Sequence, residues 1–245
     1  MTVDPGYAIA VVDGLVFALG AEWERLSARD PGISRARVRD ALARLRELGL
    51  RPSFGDGELP QLPGAGAADV AVLVEQLERI RAIAPSVLTA GADTFSRILC
   101  ADPWPRIYTT AVLDTPATSP VHVLQISDLA GSEQWGRVGQ LSKLAEVQLV
   151  SMFGAPLGRE PWPFASDAFP ELRALDISGS RLRALPAALE GAKQLEALEL
   201  ADNPIDPGSI GLLATLPRLR YLGLRDTRLL RSELPPLPSD CEIAL

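Results

Sequence analysis

From residue 121 onward, aliphatic residues recur in triplets spaced three and then two apart. The triplets are Val121, Leu124 and Ile126; Leu144, Val147 and Leu149; Leu172, Leu175 and Ile177; Leu195, Leu198 and Leu200; and Leu219, Leu222 and Leu224. Successive triplets begin 23, 28, 23 and 24 residues apart, and Ile243 with Leu245 fits a last, shortened copy. A unit of this length buries its apolar side only against a neighbour, so a fixed period predicts a stacked solenoid. Within each triplet the spacing places the aliphatic side chains inward and the intervening residues on the opposite face of a parallel sheet. The fold class predicted for this half is α/β, with the sheet on the concave side.

The first hundred residues follow a helical period instead. Ile9, Val12, Val16, Leu19, Trp23 and Leu26 mark one face of a helix over 8–26, and Asp30-Pro31-Gly32 breaks it. Val38, Leu42, Leu45 and Leu48 predict a second helix over 34–48 that stops at Gly49. Residues 52–66 hold too many glycines and prolines for an element and read as a loop. A third helix is predicted over 68–84 and a shorter fourth over 93–100. The chain divides, on this reading, into an α-helical lobe or cap at 1–103 and a repeat domain of five to six copies at 104–245. Ile107 to Val112 is a β-prone stretch in the connection between them.

The run Leu195-x-x-Leu198-x-Leu200-x-x-Asn203 resembles the leucine-rich repeat family, as do its in-register neighbours. Leu182-x-x-Leu185-Pro186-x-x-Leu189 resembles the convex segment of bacterial and plant repeats, and Leu234-Pro-Pro-Leu-Pro-Ser resembles the short repeats of bacterial effector proteins. The likeness covers about 121–245. It implies that the amide at Asn203 bridges adjacent turns, with Ser180 and Thr227 in the equivalent places; the first two copies have no such residue. It also implies that the concave face binds a protein partner, as in an adaptor or scaffold. Fold analogy alone carries that expectation.

Read onto this chain, the face displays Val123, Gln125 and Ser127; Glu146, Gln148 and Val150; Ala174, Asp176 and Ser178; Ala197, Glu199 and Ala201; and Tyr221, Gly223 and Arg225. Glu146, Asp176 and Glu199 give it an acidic middle. Tyr221 and Arg225 at one end belong to residue types enriched in binding hot spots. A loop inserted at 154–164 carries Trp162 between two prolines, a stiff contact candidate, although large aromatics are usually mostly buried and folding back over the repeat core is the favoured reading.

A second class of function is DNA binding. Gly32 to Leu50 resembles the turn and recognition helix of winged-helix regulators, with arginines at 35, 37, 39, 44, 46 and 51 against Asp40 and Glu47. The repeats would then be a sensor domain. The net charge of -7 opposes a general nucleic-acid role, and so does a lobe whose acids outnumber its bases. An enzyme is not expected: there is no nucleophile elbow, no phosphate loop and no histidine pair. His122, Cys100 and Cys241 are too few for a histidine/cysteine zinc site, so no metal and no cofactor are expected. Neither cysteine has a basic neighbour in sequence, so both read as inert thiols. No apolar run reaches the roughly 20 residues a membrane span needs. Lysine at 143 and 193 only, beside abundant arginine and alanine, suggests a GC-rich bacterial genome, and a cytoplasmic location is expected. The sequence carries no signal for the oligomeric state.

Overall fold

The computed structural model describes residues 19–20, 22–49, 64–99, 107–109, 122–126, 146–158, 162–164 and 167–245. The chain falls into two compact units, 1–107 and 108–245.

Among the described residues the first unit holds four helices: α1 (Glu22–Arg29), α2 (Arg35–Glu47), α3 (Gly64–Val87) and α4 (Ala90–Leu99). Most of the helix expected over 8–26 lies outside the described residues. Helix α2 starts where its cap dictates, because the Ser34 hydroxyl accepts from the Arg37 amide at 3.3 Å. It ends at Gly49, whose φ of 74° suits glycine. Val38, Leu42 and Leu45 are buried as their spacing requires. Leu48 is not: it sits past the last helical turn and is 43% exposed. Helix α3 begins at Gly64, inside the stretch expected to be loop, and buries Leu73, Leu77, Ile80 and Ala84. From α3, the buried Gln76 amide grips the turn between α1 and α2. It accepts from the Ser34 amide at 2.7 Å and donates to the Gly32 carbonyl at 2.9 Å. Both part-buried backbone groups are thereby satisfied.

The strands are β1 (Ile107–Thr109), β2 (Val123–Gln125), β3 (Leu149–Ser151), β4 (Ala174–Asp176), β5 (Ala197–Glu199), β6 (Tyr221–Gly223) and β7 (Glu242–Ala244). They lie side by side in chain order in one sheet, and β2 to β7 pair in parallel. Leu124, Val150, Leu175, Leu198, Leu222 and Ile243 face one another across the six strands.

That register corrects the second copy. The expected triplet was Leu144, Val147 and Leu149; the one in the apolar core is Val147, Val150 and Met152, while Leu149 is buried on the other face of the strand and Leu144 lies outside the described residues. Both fit the same aliphatic spacing, so periodicity could not choose between them. Pairing Val150 with Leu124 on one side and Leu175 on the other chooses the second, and one-residue differences in phase reverse which side chains face inward.

Strands β3 to β6 lead into the same turn. Two residues past the last inward aliphatic stand Gly154, Gly179, Asp202 and Asp226, all with φ between 57° and 67°. Asparagine and aspartate tolerate this left-handed conformation better than most residues. There the amides of Gly154, Gly179 and Asp202 each donate to the next turn's carbonyl, of Ser178, Ala201 and Arg225, at 2.9 Å. The following residue is Ala155, Ser180, Asn203 or Thr227. The buried Asn203 amide donates to the carbonyls of Ile177, Leu200 and Ala201 and accepts from the Leu182 amide. Ser180 reaches one carbonyl of the preceding turn, Met152, at 3.0 Å. Thr227 bonds within its own turn, to the Leu224 carbonyl at 2.7 Å. Short 3₁₀ helices at Ala187–Gly191, Pro207–Thr215 and Arg231–Glu233 return the chain to the next strand. Leu182, Leu185 and Leu189, expected on the convex segment, are all buried in the core of this unit.

Candidate functional site

Alternation along each strand puts the residues flanking the central aliphatic on the face opposite the core. In register, one column is Val123, Leu149, Ala174, Ala197, Tyr221 and Glu242. The next is Gln125, Ser151, Asp176, Glu199, Gly223 and Ala244. Asp176, Glu199, Tyr221 and Gln125 therefore hold the strand positions expected of them. Glu146 and Gln148 do not. With the second copy shifted by three, its face residues are Leu149 and Ser151, while Val150 points into the core. Glu146 sits in the turn ahead of β3, its carboxylate 3.6 Å from His122 Nε2. Gln148 precedes the strand, and its carbonyl accepts the amides of Arg173 and Ala174.

Nor is the face evenly open. Ala174, Ala197 and Leu149 are buried, and Asp176 is only 3% exposed. Accessibility rises toward β6 and β7, where Glu199 and Tyr221 are half-buried and Arg225 and Glu242 are exposed. The acidic middle expected from sequence is thus reduced to Glu199 at the accessible end and Asp176 beneath the surface.

The two carboxylates have different environments. Asp176 accepts from the Ser178 amide at 3.0 Å and from the hydroxyls of Ser178 and Ser151. Burial nevertheless dominates and pushes its carboxyl up to about 6; the Ser178 bonds oppose this, and the charge of Glu199 adds to it. Glu199 accepts from the Tyr221 hydroxyl on one oxygen and from the Ala201 amide on the other, both at 3.0 Å. Burial first, then the neighbouring Glu199, hold the Tyr221 phenol well above its ordinary value. It stays a hydrogen-bond donor. The Glu199 carboxylate also occupies the space a side chain at 223 would need, since a methyl group on Gly223 would fall on it. Neither the Tyr221 bond nor the Gly223 vacancy is visible in the spacing that located the face; both follow from register.

Trp162 is elsewhere. It packs against the apolar core of this unit, edge-on to Phe164 at 5.7 Å, and Phe164 in turn meets Phe169 at 4.7 Å. Trp162 is partly buried by this packing.

Helix α2, the candidate for DNA contact, engages two of its arginines in ion pairs with α3. Arg37 pairs with Glu75 of α3 at 3.1 Å and Arg44 with Asp69 at 2.6 Å. Arg79 of α3 joins Glu75 to Asp30 in the turn before α2. Arg51 lies outside the described residues. The Cys241 thiol is pushed up to about 11 by burial and by Asp240 and Glu242, consistent with an inert thiol. Among the described residues, no helix is long and apolar enough to cross a membrane.

Compared with known proteins, the chain matches no protein-family model. A stretch of 58 residues is 47% identical to the geranylgeranyl transferase type-2 subunit alpha of Mus musculus, covering 24% of this chain and 10% of that one. A stretch of 66 residues is 46% identical to the same subunit of Sus scrofa, covering 26% and 11%. The chain thus spans about a tenth of the length of these relatives. Among solved structures, an internalin from Listeria monocytogenes aligns over 55% of this chain and 36% of its own, at 20% identity and a TM-score of 0.30. The fold described above rests on strand register and burial, and these partial likenesses assign the chain to no family.

Proposed function

We propose that residues 121–245 form a leucine-rich repeat solenoid and that its strand face binds a protein partner, making the chain an interaction scaffold or adaptor. The observation that carries this reading is the accessible end of the face, where Glu199, Tyr221 and Glu242 stand on adjoining strands and Arg225 just past β6. A half-buried tyrosine beside exposed charges offers apolar area and directional polar groups with little side-chain entropy to lose. The recurring left-handed turn and the Asn203 bridge support the repeat assignment, since each ties one turn to the next. The reading assigns no catalytic residue and no cofactor, and it places the protein in a bacterial cytoplasm.

Affinity purification of the tagged chain from its native cells tests it, with Tyr221→Ala and Arg225→Glu as variants. A stoichiometric protein partner captured by wild type and lost from both folded variants is the expected result. Equal capture by all three forms would show that the partner binds elsewhere.

A further inference from the structure

Glu199 has two oxygens, each accepting one bond, from the Tyr221 hydroxyl and the Ala201 amide. An ionised carboxylate has about four acceptor positions, so about two are left. The group is held on both sides and is only half-buried. Its orientation further depends on residue 223, because the carboxylate lies where the first carbon of any side chain there would be. The glycine has no conformational reason to be present: 223 lies within a regular strand and is not among the glycines with positive φ. What remains is the space it leaves. Asp176 faces Glu199 from β4 and adds no competing cation; Arg225, exposed past β6, acts on the Tyr221 phenol through its charge, but among the described residues it makes no ion pair with Glu199.

We infer that Gly223 is a positioning residue of the partner-binding face, seating the Glu199 carboxylate so that its two unused acceptor positions take a cationic side chain of the partner. Arginine suits these positions best, because its planar fork bonds two carboxylate lone pairs at once. The inference rests on the strand face being the partner surface, but the seat itself can be tested without the partner.

The test uses the full chain labelled with ¹³C at the tyrosine ring carbon that bears the hydroxyl, with Tyr221→Phe identifying the Tyr221 signal. Gly223→Ala should move that signal to the position it takes in Glu199→Ala, because both remove the bond. A Tyr221 signal that stays at its wild-type position in Gly223→Ala would overturn the seat. If Gly223→Ala does not fold, Gly223→Ala/Glu199→Ala removes the overlap and should fold; failure of the double variant also overturns the seat. N-acetyl-arginine amide is then titrated at low salt beside its citrulline counterpart, which has the shape without the charge. The arginine compound should shift Tyr221 in wild type and bind at least tenfold more weakly to Gly223→Ala. Equal responses to the two compounds would refute the cationic ligand. Should the seat behave as expected while Tyr221→Ala and Arg225→Glu still capture the same protein, the seat stands and the partner surface lies elsewhere.

Discussion

Replacing Asn203 with alanine removes the side chain that ties one turn of the sheet unit to the turn before it. In the wild type, Asn203 is fully buried and makes four bonds. Two of them, from the Leu182 amide and to the Ile177 carbonyl, reach the preceding turn at 2.9 Å each. Alanine offers nothing to either group, and the position is fully buried. A buried polar group stripped of its partner costs about 1–3 kcal/mol. Two such groups put Asn203→Ala near 4 kcal/mol, a large part of the roughly 5–15 kcal/mol that stabilises a typical domain. Ser180→Ala should cost less, about 1 kcal/mol, because it frees only carbonyl acceptors and leaves no amide without an acceptor. Urea denaturation followed by circular dichroism gives the three stabilities. Hydrogen exchange at the Leu182 amide reads the bond directly and should lose its protection in Asn203→Ala alone. Asn203→Ala costing no more than Ser180→Ala, with Leu182 still protected, would refute the bridging argument.

Other outcomes follow from the same structure. The raised carboxyl of Asp176 makes the folded state bind a proton more tightly than the unfolded chain. Its stabilising contribution should be complete below about pH 4, where the unfolded carboxyl titrates, and should be lost as pH rises through about 6. Asp176→Asn should flatten that dependence by about 3 kcal/mol between pH 4 and 8, and a melting series that matches wild type at every pH would count against it. Gln76→Ala should destabilise the helical unit by about 2 kcal/mol and expose the Ser34 amide to exchange, because one buried side chain serves both Ser34 and Gly32. Gly158→Ala should cost about 1–3 kcal/mol by thermal melting, since the added carbon would lie 2.5 Å from the Arg181 carbonyl oxygen, a backbone atom that cannot swing aside.

Much of the architecture was legible in residue spacing. The three-then-two aliphatic pattern located β2, β4, β5, β6 and the shortened copy at β7, because one apolar side must be buried in every turn. Polarity alone could not fix the second copy. Between 144 and 152, leucines, valines and Met152 satisfy the pattern in two phases, and Glu146 and Gln148 were read from the wrong one. Helix α2 was likewise legible from Ser34, its apolar stripe and Gly49. Whether its arginines were free was not, since Glu75 and Asp69 lie on a helix more than twenty residues away.

The sequence by itself determined that this chain has a helical part and a repeating parallel-strand part, and which leucines form most of the second part's core. Tertiary structure decided which polar residues stand beside one another. Neighbours on the strand face are 21–26 residues apart in the chain, so their contacts depend on how adjacent turns pair. Pairing buried Asp176 and set Tyr221 against Glu199. It also gave the missing side chain of Gly223 a use that the letter G at that position does not disclose, because steric room belongs to an arrangement of neighbours and not to a residue.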